Sequence, residues 1–305
     1  MFAVLILCEN MKTHYRAVCY QGYRSGQSLQ QGNFPSREQV LEDLLILEKN
    51  FDAIRVYDSS KHTEDILAVI KEHNISLEVM LSMYMNAEER HKGVPEPGSD
   101  EAARFNKNIS RNNELADKVI DIANMYPDIV CCISAGNEAR SIWNYNVVSD
   151  KRIAELVQRI KQGVSIPVTY CEEWKSWVDD LPETSKVVDF LSIHIYPVWN
   201  HVKIGDAIER TIESYGKIQA LYPDKKIVIT EAGWPTQTDQ KRIPLDEATV
   251  HNQTRYVSEL MEWTKKVNTT VYIFEAFDEH WKGYSDPVDP EKNWGLYLDS
   301  RKKKV

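Results

Sequence analysis

The sequence is short of several kinds of residue and motif, and each shortage excludes a class of protein. Glycine and proline number 12 each in 305 residues, and no low-complexity tract or Pro/Gly/Ser-rich linker divides the chain, which favours a single domain. No apolar run approaches the roughly 20 residues that a membrane-spanning helix needs. The 37 Lys and Arg residues are scattered among 46 Asp and Glu, and the net charge of −9 argues against nucleic acid as a partner.

Cysteine is scarce as well. The cysteines are five, an odd number: Cys8, Cys19, Cys131, Cys132 and Cys171. Three of them lie in apolar strand-like segments. We therefore expect buried thiols in a chain that does not depend on disulfides. Hydrophobic residues make up 42% of the chain, which is enough to bury a full core.

The first residues contain the one candidate for a targeting segment. Residues 2–8, FAVLILC, are apolar, but no basic region precedes them and Glu9 follows. We expect residues 1–14 to be an N-terminal extension, with Met11 as an alternative start, and residues 15–305 to form the catalytic domain. A cytoplasmic location is favoured over an exported one.

Eight apolar, β-branched runs recur along the chain, at residues 16–23, 53–59, 77–84, 129–136, 167–174, 190–197, 226–233 and 271–278. Stretches with a helical period separate most of them, among them residues 36–50, 113–126, 151–162, 204–222 and 247–266. This alternation over eight units predicts an α/β fold, a single (β/α)8 TIM barrel. A doubly wound open sheet is the alternative, but no GxGxxG or P-loop pattern follows the first strand. The longest irregular stretch, residues 85–111, is predicted to be a surface loop after the third strand.

Two predicted strands, the fourth and the seventh, each end in a glutamate that follows small or apolar residues. Glu138 closes the segment IVCCISAGNE, and Glu231 lies in KIVITEAGWP. A carboxylate at the end of a buried strand is costly unless it has partners or a use. In a TIM barrel the carboxyl ends of all strands meet at one face, where the active site is assembled. The two glutamates therefore predict a two-carboxylate active site.

Other predicted strand ends are rich in carboxylates and aromatic residues, a composition that suits a sugar substrate. Arg55 could form a structural ion pair or, beside Glu231, keep that group ionised as a nucleophile. Asn137 could hold a sugar hydroxyl. Tyr196 is the better candidate for a hydrogen bond to the nucleophile, while His194 is interpreted as a satisfied core histidine.

Seven of the eight tryptophans follow predicted strand ends, which suggests platforms on which sugar rings stack: Trp143, Trp174, Trp177, Trp199, Trp234, Trp281 and Trp294. Trp199 lies on the short connection after the sixth strand. We expect its ring to face the groove, although it could instead cover the barrel core.

A divalent metal is the competing chemistry, since Glu138, His194, Glu231 and Asp278 could converge on one cation. No HxH, HExxH or CxxC spacing supports such a site. We therefore predict no metal and no cofactor.

Taken together, these residues resemble family 17 of the glycoside hydrolases, the β-1,3-glucanases and related glucan transglycosylases, over nearly the whole chain. The family's proton donor lies in a Gly-Asn-Glu turn, matched by residues 136–138. Its nucleophile lies in a Thr/Ser-Glu-x-Gly-Trp-Pro turn, matched by residues 230–235. Its signatures at strands two, six and eight are matched by Arg55, Tyr57, Asp58, Tyr196, Pro197, Phe277, Asp278, Glu279, Trp281, Lys282, Glu291, Trp294, Gly295 and Leu296.

The resemblance implies a retaining hydrolase of β-1,3-glucan chains in which Glu231 is the nucleophile and Glu138 the acid/base. The predicted supporting residues are Arg55, Tyr57, Asn137, Tyr196, Glu279, Lys282 and Glu291, and the predicted substrate-binding residues are Asp58, Trp143, Trp174, Trp199, Trp234 and Trp281. A β-1,3-glucan transglycosylase and a catalytically silent glucan-binding barrel are the alternatives. The expected partner is β-1,3-glucan or its oligosaccharides, bound by a monomer.

The sequence also departs from the family's pattern in two places. Residues 236–238, Thr-Gln-Thr, replace the small tail that often follows Trp-Pro. Only residues 198–203 separate the sixth strand from its helix, where plant members carry an extra subdomain. We expect a shorter and more open groove.

Overall fold

Eight parallel strands form a closed barrel in the computed structural model, which describes residues 14–304. The strands are β1 Arg16–Cys19, β2 Ala53–Arg55, β3 Glu78–Ser82, β4 Val130–Asn137, β5 Val168–Glu173, β6 Leu191–His194, β7 Ile227–Ala232 and β8 Val271–Ile273. Each strand pairs with the next one along the chain, and β8 closes the ring on β1. The predicted TIM barrel is confirmed.

Helices connect the strands and cover the outside of the barrel. They are α1 Arg37–Leu47, α2 Lys61–His73, α3 Asp100–Met125, α4 Asp150–Gly163, α5 Ser176–Asp179, α6 Thr184–Val187, α7 Ala207–Leu221 and α8 Val250–Lys266. Short 3-10 helices span Pro197–Asn200, Ile204–Asp206 and Pro290–Lys292.

The prediction of a loop over residues 85–111 is wrong in its second half, because α3 begins at Asp100. The Ser99 hydroxyl accepts the N–H of Ala102 at 3.2 Å, and Asp100 and Glu101 place negative charge in the first turn. A capping serine followed by acidic residues is a helix start signal. This start signal outweighs the high charge and proline content of the residues just before it. Residues 83–99 form no helix or strand.

The core has two layers, because alternate residues of each strand face opposite sides of the sheet. Ala17 and Cys19 of β1 belong to a small cluster inside the barrel, together with Tyr272 of β8. Val18, between them, packs with Leu44 of α1 in the larger cluster between sheet and helices. The barrel interior is therefore filled by side chains, and its open end lies at the carboxyl ends of the strands.

The described cysteines, Cys19, Cys131, Cys132 and Cys171, are free thiols, as expected, and all but the half-buried Cys131 are buried. Cys8, the apolar residues 2–8 and the alternative start at Met11 lie outside the described residues. Among residues 14–304, no helix is long and apolar enough to cross a membrane.

Candidate active site

A cleft of about 680 Å³ opens at the carboxyl ends of the strands. Its lining is made of charged and aromatic side chains, among them Tyr57, Tyr84, Glu138, Trp143, Lys175, Tyr196, Trp199, Glu231, Arg242, Phe274, Trp281, Lys282, Glu291 and Trp294. Both predicted glutamates therefore lie in one concave site, and several aromatic rings lie around them.

Glu231 lies in β7 and is nearly buried, with 7% of its side chain exposed. The Arg55 guanidinium donates to its Oε1 at 2.6 Å, and the Tyr57 hydroxyl donates to the same oxygen at 2.9 Å. The Tyr196 hydroxyl donates to Oε2 at 2.7 Å. Both oxygens thus accept hydrogen bonds from residues on other strands or the loops that follow them.

These contacts determine the charge state of Glu231. Burial raises the pKa of a carboxyl group, but His194 and Arg55, followed by the hydroxyls of Tyr196 and Tyr57, outweigh it. The pKa of Glu231 is lowered below its ordinary value. An ionised carboxylate in a nearly dry position is what a nucleophile requires.

Glu138 follows Asn137, the last residue of β4, in a backbone conformation with φ of +50°. Its side chain is 17% exposed. The His194 ring nitrogen Nδ1 lies 2.7 Å from Oε1, and the Trp143 indole N–H donates to Oε2 at 3.2 Å. Asn137 itself accepts a hydrogen bond from Arg55, which links the ends of β2 and β4.

His194 lies between the two glutamates, at the end of β6. Its Nε2 lies 3.5 Å from Oε1 of Glu231, and one carboxylate oxygen of each glutamate and a ring nitrogen all lie within 4.8 Å of one another. Burial lowers the pKa of a histidine, but Glu231, Cys171 and Glu138 together raise that of His194. The ring is fully buried, yet the interpretation as a core histidine missed its contact with both glutamates. Its position at a strand end beside Tyr196 was the available signal.

The residues named for the metal alternative come together only in part. Glu138, His194 and Glu231 converge, but Asp278 pairs with Lys304 at 2.7 Å and accepts the N–H of Gly295. The buried guanidinium of Arg55 lies against Glu231, and a positive charge there opposes binding of a divalent cation. This arrangement favours an anionic nucleophile over a metal ligand set.

A second charged group lies on the β8 side of the cleft. The Lys282 ammonium contacts Glu275 and lies 3.0 Å from Glu279, and the Trp281 indole N–H donates to Glu279 at 3.0 Å. Burial lowers the pKa of a lysine, but Glu275 and Glu279 raise that of Lys282. Glu291 also lines the cleft, and burial raises its pKa. Nothing in the sequence indicated the contact between Glu275 and Lys282.

The tryptophans divide between the cleft and the core. Trp143, Trp199, Trp281 and Trp294 line the cleft. One face of Trp199 is covered by the Arg242 guanidinium, 4.3 Å from the ring centroid.

Three predicted substrate contacts, Trp234, Trp174 and Asp58, do not line this cleft. Trp234 is fully buried, and its indole N–H donates to the carbonyl of Glu247 at 2.7 Å, so it is a core residue. Trp174 packs against the core and does not line the cleft. Asp58 does not line the cleft either, and it accepts the Ser60 N–H at the start of α2. Trp177, which had been grouped with the stacking platforms, is also fully buried.

Several cleft residues come from loops and carry no local signal in the sequence. Arg242, Lys175 and Asn200 reach the cleft from connections after β7, β5 and β6. A polar or charged residue on a loop is usually solvated, so only the fold reveals that these side chains line the site.

The family model for BtgE/BtgC glycoside hydrolase domains matches residues 17–295. Glucan 1,3-beta-glucosidase of Schizosaccharomyces pombe is 27% identical over 176 residues, 53% of this chain and 53% of the relative. A putative glucan endo-1,3-beta-glucosidase, btgC, of Aspergillus niger is 25% identical over 293 residues, 88% of this chain and 39% of the relative. The chain thus spans about half or less of the length of these curated relatives.

Among solved structures, an endo-laminarinase from a Formosa strain superposes with a TM-score of 0.78 at 24% identity, covering 95% of this chain and 85% of that one. A family 17 beta-1,3-glucanosyltransferase from Rhizomucor miehei superposes with a TM-score of 0.69 at 19% identity, with 95% of each chain covered. At these identities the likeness concerns the fold.

Proposed function

Because the chain belongs to the family of BtgE/BtgC glycoside hydrolase domains, which is of the family 17 type, we propose that it is a retaining hydrolase of β-1,3-glucosidic bonds. Its substrates are laminarin-type β-1,3-glucan chains. Glu231 is the proposed nucleophile and Glu138 the proposed acid/base. The sequence resemblance and the family match agree on this class of enzyme.

The observation that carries the proposal is the placement of an ionised Glu231 beside Glu138 in one cleft. Retaining enzymes hold their two carboxyl groups about 5 to 5.5 Å apart, whereas inverting enzymes separate them by about 6.5 to 9.5 Å to admit a water. Here one oxygen of each glutamate lies within 4.8 Å of the other, with His194 in contact with both. This close approach of the two side chains is consistent with the shorter, retaining arrangement, in which Glu231 attacks the sugar directly.

The reaction then runs in two steps. In the first, an oxygen of Glu231 bonds to the anomeric carbon while Glu138 gives its proton to the glycosidic oxygen, whose bond to that carbon breaks. In the second, Glu138 takes a proton from water, the water oxygen bonds to the anomeric carbon, and the ester bond to Glu231 breaks. Two inversions leave the product in the β configuration.

The neighbours of Glu231 serve both steps. Arg55, Tyr57 and Tyr196 stabilise its negative charge before attack and again as it leaves. His194 contacts both glutamates and couples their charges, since its ring is hydrogen-bonded to Glu138 and close to Glu231.

Two features support a glucan substrate. The curated relatives carry names of β-1,3-glucan-cleaving enzymes. Aromatic rings line the cleft, with Trp143 hydrogen-bonded to Glu138 and Trp281 beside Lys282. Aromatic faces and charged hydrogen-bonding groups together suit an uncharged, hydroxyl-rich chain.

A β-1,3-glucan transglycosylase is the second candidate, favoured by the exposed indole of Trp143. This side chain is 59% exposed and its N–H reaches Glu138, the group that activates the acceptor. A second sugar stacked there would compete with water for the glycosyl–enzyme.

The test uses the purified chain with laminarin and with defined β-1,3-oligosaccharides. We expect reducing sugar to be released, with the β-anomer of the product formed first, as monitored by proton NMR. Glu231→Ala should be inactive but recover turnover with azide, which would yield an α-glycosyl azide. Exhaustive treatment with EDTA should leave the activity unchanged, because neither glutamate is proposed to hold an ion.

The other outcomes separate the alternatives. Longer oligosaccharides that accumulate at high substrate concentration would identify a transglycosylase. Binding without turnover would identify a silent glucan-binding barrel, and the α-anomer formed first would overturn the assignment of Glu231 as nucleophile.

A further inference from the structure

The turn that carries Glu138 has an unusual backbone. Gly136 has φ of +143°, and Glu138 has φ of +50°, in the left-handed region that residues with a side chain rarely adopt. A Cβ at position 136 would collide with the side chain of Met85. Such a conformation persists only where the surrounding structure determines it.

The neighbouring strand β5 holds this turn through three consecutive backbone N–H groups. The N–H of Glu138 donates to the carbonyl of Cys171 at 2.9 Å. The N–H of Ala139 donates to the hydroxyl oxygen of Tyr170 at 2.7 Å, and that of Arg140 donates to Oε2 of Glu172 at 2.8 Å. The first contact continues the sheet, but the other two replace a backbone acceptor with a side chain.

Glu172 is at the centre of this arrangement. The Tyr170 hydroxyl donates to its Oε2 at 2.8 Å, and the Glu173 N–H donates to Oε1 at 3.0 Å. The Ser141 hydroxyl, on the same turn as Glu138, also donates to Oε1. Each carboxylate oxygen of Glu172 thus accepts two hydrogen bonds. One comes from the turn that carries Glu138 and the other from β5 itself.

The position has an energetic cost that hydrogen bonds offset. Burial and the Glu138 carboxylate raise the pKa of Glu172 to about 7, against the opposing effect of hydrogen bonds from Ser141, Arg140 and Tyr170. The side chain is fully buried and is not among the described residues that line the cleft. A buried carboxyl group that does not line the cleft can influence the reaction only through the groups it contacts.

We propose that Glu172 and Tyr170 are positioning residues that fix the turn of the acid/base, so that Glu138 meets the glycosidic oxygen. The inference rests on the proposed function of Glu138. Replacing one carboxylate oxygen by an amide NH2, as in Glu172→Gln, would leave the N–H of Arg140 or of Glu173 without its acceptor and allow the turn to relax. A small displacement of the Glu138 carboxyl group would impair proton transfer, because proton transfer requires hydrogen-bond contact with the glycosidic oxygen.

Two substrates separate loss of proton transfer from a general loss of activity. Cleavage of a β-1,3-oligosaccharide needs Glu138 to protonate a poor leaving group. Cleavage of 2,4-dinitrophenyl β-laminaribioside does not, because dinitrophenolate leaves without a proton. Added azide then removes the need for a base in the second step, because azide is an anion and attacks the glycosyl–enzyme without losing a proton.

For Glu172→Gln we expect kcat/KM on laminaritetraose to fall on the order of 10- to 100-fold, part of the ~10²–10⁴ that general acid–base catalysis contributes. With the dinitrophenyl substrate and azide, the rate should stay close to that of the wild type. Tyr170→Phe should follow the same pattern more weakly. Glu138→Ala sets the reference pattern for complete loss of the acid/base.

Asp150→Asn is the matched control, because Asp150 also accepts two backbone N–H groups and a hydroxyl, from Glu183 and Thr184, but at the start of α4. Asp150→Asn should lower the melting temperature, and any change in its activity should be the same for both leaving groups. If Glu172→Gln does not fold, Tyr170→Phe and Ser141→Ala decide the question in its place.

The inference is wrong if folded variants lose activity equally on both substrates, or lose none on either. A wild-type chain that cleaves the dinitrophenyl substrate but not laminaritetraose contradicts the proposed substrate. The role of Glu172 is then tested by whether azide restores the rate of Glu172→Gln on the dinitrophenyl substrate, and a rate that azide does not restore overturns the inference. A wild-type chain inactive on both overturns the proposed function and this inference with it.

Discussion

Glu231 keeps its charge in a nearly buried position because donors surround both of its oxygens. Its pKa is lowered even though burial acts in the opposite direction, with His194 and Arg55 as the largest opposing contributions. Because the folded-state pKa lies below that of the unfolded chain, the carboxylate contributes stability above the unfolded value. This contribution is lost as the pH falls through the folded-state pKa.

Tyr196→Phe tests this balance at a single atom. The change removes the 2.7 Å hydrogen bond to Oε2 and leaves the ring in place. We expect the pKa of Glu231 to rise and the acid limb of the kcat/KM profile to move to higher pH, by about one to two units, since a hydrogen bond to a charged group contributes about 1.5–3 kcal/mol. An acid limb that stays in place would mean that another group controls it.

Trp199 has features of both a substrate contact and a packing residue. It lines the cleft, but Arg242 covers one face, and the edge-to-face contact with Trp294 has a centroid distance of 5.7 Å. For Trp199→Ala we expect oligosaccharide affinity to fall by roughly 1–3 kcal/mol. Stability should fall as well, but by less than the ~3–5 kcal/mol of a fully buried tryptophan.

Trp234→Ala is the control, since that ring is fully buried in the same part of the fold. Melting temperature and affinity are measured on both variants. A Trp199 variant with unchanged affinity and the larger stability loss of Trp234→Ala would remove Trp199 from the binding site.

At the scale of elements, α3 depends on the serine that precedes it. The Ser99 hydroxyl accepts the Ala102 N–H, whereas Ser60, at the corresponding position of α2, makes no such hydrogen bond. Ser99→Ala should therefore cost about 1 kcal/mol of the free energy of unfolding. Ser60→Ala should cost clearly less.

Chemical denaturation of the two variants measures this difference. Equal losses would show that the α3 cap contributes nothing beyond helix propensity. The comparison also bears on prediction, because Ser99 followed by two acidic residues was a start signal that the irregular composition before it concealed.

The strands explain why the sequence located both glutamates but not their surroundings. Each glutamate follows an apolar run, which is a local pattern. The contact of His194 with both glutamates depends instead on the register between β6 and β7, where His194 pairs with Glu231. Register is determined by packing across the sheet, and no single run contains it.

At the scale of the whole molecule, the C-terminal segment is tied to the first helix. The Arg301 guanidinium donates to both oxygens of Asp43 at 2.6 and 2.7 Å, and both side chains are almost completely buried. Removing Arg301 leaves the buried carboxylate of Asp43 with the partly exposed Arg24, 3.2 Å away, in place of a two-oxygen ion pair. Arg301→Ala should therefore destabilise the fold by about 3–5 kcal/mol.

Arg159→Ala is the control at the surface. Its ion pair with Asp117 also spans 2.7 Å, but the side chains are 46% and 52% exposed, and such pairs contribute less than about 1 kcal/mol. Urea unfolding of both variants measures the contrast. Similar small losses would mean that the C-terminal segment is not held by Arg301.

The sequence by itself determined the class of fold and the two proposed catalytic groups. Apolar runs alternating with helical stretches over eight units predict a barrel whose strand ends meet at one face, and this rule placed Glu138 and Glu231 together without any knowledge of contacts. The family 17 resemblance rests on the same local motifs, and the match over residues 17–295 confirms it.

Only the tertiary structure decided which side chains face the cleft. Trp143 and Trp234 follow strand ends in the same way, yet one ring is 59% exposed and the other is fully buried. Glu172 and Glu173 are adjacent, but only Glu172 hydrogen-bonds to the backbone of the Glu138 turn. The physical reason is that a side chain's direction follows from the packing of elements distant in the chain, whereas periodicity and motif spacing record only neighbours along it.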